Sequence, residues 1–121
     1  VIDAGHGGWG PGKVSSSGDL EKNINLAISL ILKEKLEEHD ITVYLTRKDD
    51  NSLADTKQGD FQKRIELIDE VSPVLTISIH QNSFSDASVA GPQVFYYLTS
   101  SEGQKIAELF QKENGTANDR P

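Results

Sequence analysis

Two short apolar, β-rich runs that each end on histidine constrain this chain more than any other feature. Val1-Ile2-Asp3-Ala4 runs into the glycine turn Gly5-His6-Gly7-Gly8, and Val74-Leu75-Thr76-Ile77-Ser78-Ile79 ends on His80. Only 3 histidines occur in 121 residues, so two of them closing two strands is a pattern to be explained. In open α/β sheets, ligands and chemistry gather at the carboxyl ends of the strands. Imidazole is the commonest metal ligand in proteins. The two histidines therefore point to one metal site, provided the strands lie parallel in one sheet.

The spacing of elements supports that proviso. Val1–Ala4 is read as a buried strand, residues 5–18 as a glycine-rich loop, and residues 19–38 as a helix with Leu20, Ile24, Ala27, Ile28 and Ile31 on one apolar stripe facing the core. A strand over 41–46, a polar loop over 48–59 and a helix over 60–70 with Phe61, Ile65 and Ile68 inward follow. The strand ending at His80 is followed by a loop over 81–90, a strand over 93–98, and a third helix. Ser101 and Gln104 form a capping box for that helix, and Ile106, Leu109 and Phe110 are buried along it. The tail over 114–121 shows no periodicity. Alternating strands and helices imply an α/β fold: a single domain over 1–121 with a mostly parallel twisted sheet and helices on both faces.

Composition narrows the chemistry. Cysteine is absent, so disulfides and thiolate metal sites are excluded and any metal is held by nitrogen and oxygen. The net charge of -7 and the scattered lysines exclude a phosphate-backbone partner, so no nucleic acid is expected. No apolar run approaches the roughly 20 residues that cross a bilayer, so no membrane span is expected in this chain. Methionine is absent even at position 1 and the chain opens inside a strand, as in a domain cut from a longer precursor with any signal segment upstream.

A catalytic zinc site commonly has three protein ligands and one open position. His6 and His80 supply two. Glu21, in the first turn of the helix after the His6 loop, returns to the same sheet edge and is the best third ligand. Glu34, Glu37 and Glu38 lie at the helix's far end, and Asp49, Asp50 and Asp55 sit in a solvated loop; His39 ends a helix and is read as structural or surface. From residues and spacing alone, two hydrogen-bonded core histidines stand level with a metal site. The run Gly5-His6-Gly7-Gly8-Trp9-Gly10 also fits the dinucleotide fingerprint, but that needs a helix to open at once, and Pro11 to Gly18 delays it.

Val1 to Gly8, Leu20-Glu21-Lys22, Leu45-Thr46-Arg47 and Ser78-Ile79-His80-Gln81-Asn82 resemble, in order and over nearly the whole chain, the zinc-dependent N-acetylmuramoyl-L-alanine amidases of bacteria. Gly91 to Tyr97 is similar to that family's next strand, and the acidic insert over 49–60 resembles the subgroup acting on the spore cortex. The resemblance implies one zinc ion on His6, Glu21 and His80. It implies peptidoglycan as substrate, cut at the amide between N-acetylmuramic acid and L-alanine, in the cell wall or spore envelope outside the cytoplasm. It also implies a catalytic glutamate on a late strand that nothing in this chain matches. That general base is expected beyond Pro121, with the family's last strand and helix. A non-catalytic metal- or wall-binding piece is the alternative. Asp3 is expected to orient the His6 loop or a ligand, and Gln81 and Asn82 to bind substrate amides or tie down their loop, the loop role being favoured for Asn82. Arg47 and Arg64 are read as structural ion-pair formers.

Overall fold

The computed structural model describes residues 1–83 and 91–117. Two parallel strands form the sheet: β1 (Ile2–Ala4) and β2 (Ile77–Ile79), with Ile2 opposite Ile77 and Ala4 opposite Ile79. β1 is central. On its other side Ile2 pairs with Leu45 through a single parallel bridge, made by Ile2 N–H to the Tyr44 carbonyl (2.8 Å) and Thr46 N–H to the Ile2 carbonyl (3.1 Å). The strand expected over 41–46 is thus reduced to one bridge. The strand ending at His80 is three residues long, and Val74 lies fully exposed outside it.

Helix α1 spans Glu21–Glu37 and packs on both strands. It starts two residues later than the sequence suggests, because Asp19 is engaged in closing the preceding loop, accepting from the Ser15 and Ser17 hydroxyls. A left-handed Asp40 (φ 60) follows its end, with Ile41 N–H bonded to the Leu36 carbonyl and Asp40 N–H to the Glu37 carbonyl. That pairing satisfies carbonyls that a helix end otherwise leaves orphaned. Helix α2 spans Lys57–Val71 and so begins three residues before the expected start; Thr56 caps it by accepting from Gly59 N–H at 3.0 Å.

The buried face of α1 is not the expected one. Glu21, Lys22, Asn25 and Ser29 are buried, whereas Ile24, Ile28 and Ile31 are exposed, Ile31 by 60%. On α2 the buried residue is Arg64, and Phe61 is 64% exposed. The reason is hydrogen bonding: the carbonyls at the end of β1 need donors, and the polar faces of both helices supply them. Among the described residues no buried side-chain nitrogen or oxygen lacks a partner, which is the condition for a polar interior to be tolerated.

Residues 1–83 form one compact unit and residues 84–121 a second. In the second, α3 spans Ser101–Ala117, so helix continues into the segment read as an aperiodic tail. Its cap is Ser100, whose hydroxyl accepts from Gly103 N–H at 3.0 Å, rather than Ser101. Residues 93–98 are not a strand; Gln111 instead bridges the segment, accepting from Val94 N–H and donating to the Pro92 carbonyl. Phe95, Tyr97 and Leu98 are exposed there. On α3, Ala107 is buried and Ile106 half-buried, while Leu109 and Phe110 are exposed. Most of the expected loop over 81–90 lies outside the described residues.

Candidate metal centre

His6, Glu21 and His80 meet in the first unit. One ligand atom from each lies within 4.8 Å of the others. Glu21 Oε1 is 3.3 Å from His6 Nε2 and 3.1 Å from His80 Nδ1, and the two imidazoles stand edge to face with centroids 5.0 Å apart.

Each side chain reaches this point by a different device. His6 sits two residues past β1 in the left-handed region (φ 63), a conformation that is costly for a residue with a Cβ and must be held by its surroundings. Glu21 opens α1, where a carboxylate suits the positive end of the helix dipole. His80 follows β2 directly. Two glycines make the convergence possible. A Cβ on Gly5 would overlap the His80 ring, and one on Gly12 would lie 2.6 Å from Glu21 Oε2 and 2.7 Å from His6 Cδ2. The glycine turn therefore serves close approach as well as chain reversal.

Burial alone would raise the Glu21 carboxyl. It is outweighed by hydrogen bonds from the backbone N–H of Lys13 (2.8 Å, to Oε2) and of Gln81 (3.0 Å, to Oε1), joined by Asn25 and His80, and the carboxyl is held down to about 2. Glu21 is thus a fixed anion between two imidazoles. One carboxylate and two imidazoles without sulfur match the nitrogen–oxygen donor sets of catalytic zinc sites, so the residues present fit such an ion.

Asp3 does not reach the cluster. Its Oδ1 accepts from Thr46 and Arg64 and its Oδ2 from Ser78 at 2.6 Å; these bonds outweigh the opposing effect of burial and hold its carboxyl below the usual range. Gln81 belongs to the support: besides its N–H to Glu21, its side-chain amide donates to Asn25 Oδ1 at 3.1 Å. Asn82 lines a cleft of about 650 Å3 with Trp9, Glu21, His6 and His80, while a second cleft of about 570 Å3, lined by Phe61, Lys57 and Asp60 among others, opens on the same two histidines. Both volumes are in the range of small-molecule sites. His39 is exposed, and Glu34, Glu37 and Asp55 are not part of the cluster.

Asn25 and Lys22 were missed by the sequence reading. Asn25 donates to the Gly5 carbonyl at 3.1 Å, and Lys22 Nζ donates to the Gly8 carbonyl (2.8 Å) and pairs with Asp50 (2.7 Å). The signal in the sequence is the polar series at 21, 25 and 29, one helical face that runs beside the apolar stripe. Arg64 pairs with Asp3 and Asp60 as expected, but Arg47 binds four backbone carbonyls instead of a carboxylate.

A family model described as N-acetylmuramoyl-L-alanine amidase matches residues 1–121. The chain belongs to this amidase family. A germination-specific N-acetylmuramoyl-L-alanine amidase of Bacillus subtilis (strain 168) is 33% identical over 120 residues, covering 93% of this chain and 50% of the relative. The amidase AmiA of Escherichia coli (strain K12) is 30% identical over 115 residues, 94% of this chain and 38% of the relative. The chain thus spans half or less of these relatives' lengths. Among solved structures, the CwlD amidase of Clostridioides difficile, in complex with the GerS lipoprotein, superposes with a TM-score of 0.82 at 32% identity, covering 98% of this chain and 68% of that one. The catalytic domain of the amidase CwlV from Bacillus (Paenibacillus) polymyxa var. colistinus gives 0.78 at 30% identity, covering 92% and 59%. Among the described residues no helix is long and apolar enough to cross a membrane.

Proposed function

We propose that this chain is the metal-binding part of a zinc-dependent hydrolase that cuts the amide between N-acetylmuramic acid and L-alanine in peptidoglycan, outside the cytoplasm in the cell wall or spore envelope. The observation that carries the reading is the convergence of His6 Nε2, Glu21 Oε1 and His80 Nδ1 within 4.8 Å, in a chain of the amidase family. A zinc ion held there would lower the pKa of a water molecule and polarise the scissile carbonyl. Glu21, ionised at any neutral pH, supplies the negative charge that a dication needs. Lys13, Gln81 and Asn25 keep its two oxygens aimed, so little reorganisation is required on loading. The two clefts that share His6 and His80 give an extended substrate a place for the groups flanking its amide. Gln81 and Asn82 border that path.

General-base chemistry needs a carboxylate free to accept a proton. Besides Glu21, the carboxylates lining the two clefts are Asp3 and Asp60, and Arg64 pairs with both at 2.7 Å. This favours a second reading for the chain taken alone: it binds metal and wall material without itself supplying the base. Elemental analysis of the purified chain, expected to give one zinc per chain, tests the metal centre. Release of new alanine amino termini from purified peptidoglycan by the parent protein, abolished by a chelator, tests the reaction; a zinc-free protein or unchanged walls would refute the respective half.

A further inference from the structure

We propose that Arg47 and Arg64 are positioning residues for the histidine–glutamate–histidine cluster: together they hold three consecutive carbonyls at the end of β1, and so set the reach of His6 toward its two partners. The inference rests on the metal reading above.

The geometry divides the task. Arg47 donates through Nε to the Ala4 carbonyl (2.9 Å) and through NH2 to the Gly5 carbonyl (3.1 Å) and the Lys22 carbonyl (2.7 Å). Lys22 is the residue after Glu21, so Arg47 ties the His6 turn to the helix start that carries the carboxylate. Its NH1 is spent on the Asp49 carbonyl (2.9 Å), which fixes the arginine in turn. Arg64 donates through NH1 to the Ala4 carbonyl and through NH2 to the His6 carbonyl, both at 2.8 Å. It also pairs through NH1 with Asp3 (2.7 Å), and Asp3 accepts from Ser78 Oγ. Ser78 lies two residues before His80. Arg64 therefore ties the His6 turn to the strand that carries the second imidazole, and its Nε is held by Asp60 at 2.7 Å. Each arginine links the turn that carries His6 to the element bearing another ligand, and Arg64 binds the carbonyl of the strained residue itself.

The demand is for arginine specifically. A guanidinium presents its N–H groups in a rigid fan and can serve carbonyls on several elements at once, whereas a lysine ammonium is a compact point on a flexible stem. Arg47 and Arg64 are both nearly fully buried, so the bonds face little competition from water.

The test measures metal affinity and thermal stability side by side on the full chain. Zinc affinity is read by competition with a chromogenic chelator, and cobalt, loaded in its place, reports ligand geometry through its visible absorption. Arg47→Lys and Arg64→Lys are expected to weaken zinc by about 10–100-fold, the range for losing an outer partner of a metal ligand, and to alter the cobalt spectrum. Ser78→Ala, which cuts only the Asp3 link toward His80, is expected to move affinity in the same direction by a smaller factor, and it carries the test if Arg64→Lys does not fold. Leu36→Ala, at the far end of α1 and about 22 Å along the helix from Glu21 at 1.5 Å per residue, is the control: it is expected to lower the melting temperature and leave zinc affinity within about twofold, since fold stability and site geometry are separate quantities. Folded lysine variants with unaltered zinc affinity and cobalt spectrum would overturn the inference alone. So would a Leu36→Ala variant that loses as much affinity as they do. An unaltered chain that binds no metal would overturn it together with the metal reading.

Discussion

The two faces of α1 are inverted relative to an ordinary surface helix. Its buried face carries Glu21, Lys22, Asn25 and Ser29, and its outer face carries Ile24, Ile28 and Ile31. The buried side is a hydrogen-bonded lattice: Glu21 receives Lys13 and Gln81, Asn25 reaches Gly5, Lys22 reaches Gly8, and Ser29 returns to the Asn25 carbonyl at 2.7 Å. Every one of those contacts but the last ends on the His6 loop, its continuation, or the residue after His80. Burial in this helix is thus allotted to holding a site, and apolar area is left outside. Substituting the inner face should change metal binding first, and substituting the outer face should change little.

The largest effect is expected from removing a ligand. His80→Ala should abolish stoichiometric zinc binding, read by elemental analysis after dialysis; full occupancy would take His80 out of the ligand set. Glu21→Gln on the inner face should weaken zinc strongly, whereas Glu34→Gln, on the exposed part of the same helix, should leave affinity unchanged by the same titration. Equal effects would erase the contrast between the two faces.

A middle-sized effect is expected from Asn25→Ala. It removes the acceptor of the Gln81 side-chain amide and one of the two side-chain donors to the Gly5 carbonyl, which keeps Arg47, and each lost hydrogen bond costs about 0.5–1.5 kcal/mol. Urea unfolding measures it.

Acid sharpens the comparison at Asp3. Burial opposes its charge, but Ser78, Thr46 and Arg64 prevail and its folded pKa lies below the ordinary 3.8. A depressed carboxyl contributes stability that is complete above its unfolded value and is lost as the pH falls through the folded one. The stability difference between the chain and its Asp3→Asn variant should therefore be constant from neutral pH to near 4 and shrink below it. A difference that persists unchanged in strong acid would mean that the charge of Asp3 is not what stabilises.

The smallest effect belongs to the outer face. Ile31→Ser should shift unfolding by no more than about 0.5 kcal/mol, as is usual for exposed positions. A larger loss would show that this isoleucine is covered in solution.

Much of the site was legible because its residues stand at element ends. A histidine closing a β-rich run, a glycine turn and an acidic first helical turn are local signals, readable without knowing what packs on what. The register of β1 against β2 carries the two strand-end histidines to one edge of the sheet, as parallel pairing requires. The weaker sequence expectations failed for a common reason. The strand over 41–46 became a bridge at Leu45, and the apolar runs of α1, α2 and α3 did not point inward as their periodicity implied, because periodicity reports which residues share a face and says nothing about which face is buried.

What the sequence by itself determined is the amidase family, the α/β alternation and three side chains of the kinds that hold a metal through nitrogen and oxygen. Those follow from residue type and order along the chain. The tertiary structure alone decided that the helices turn their polar faces inward and that Arg47 and Arg64 grip the carbonyls of residues 4 to 6. The physical reason is the range of the interactions: Arg64 meets Asp3 across 61 positions of sequence and Arg47 meets Ala4 across 43. The need of a buried carbonyl for a donor comes into being only when the chain has folded around it.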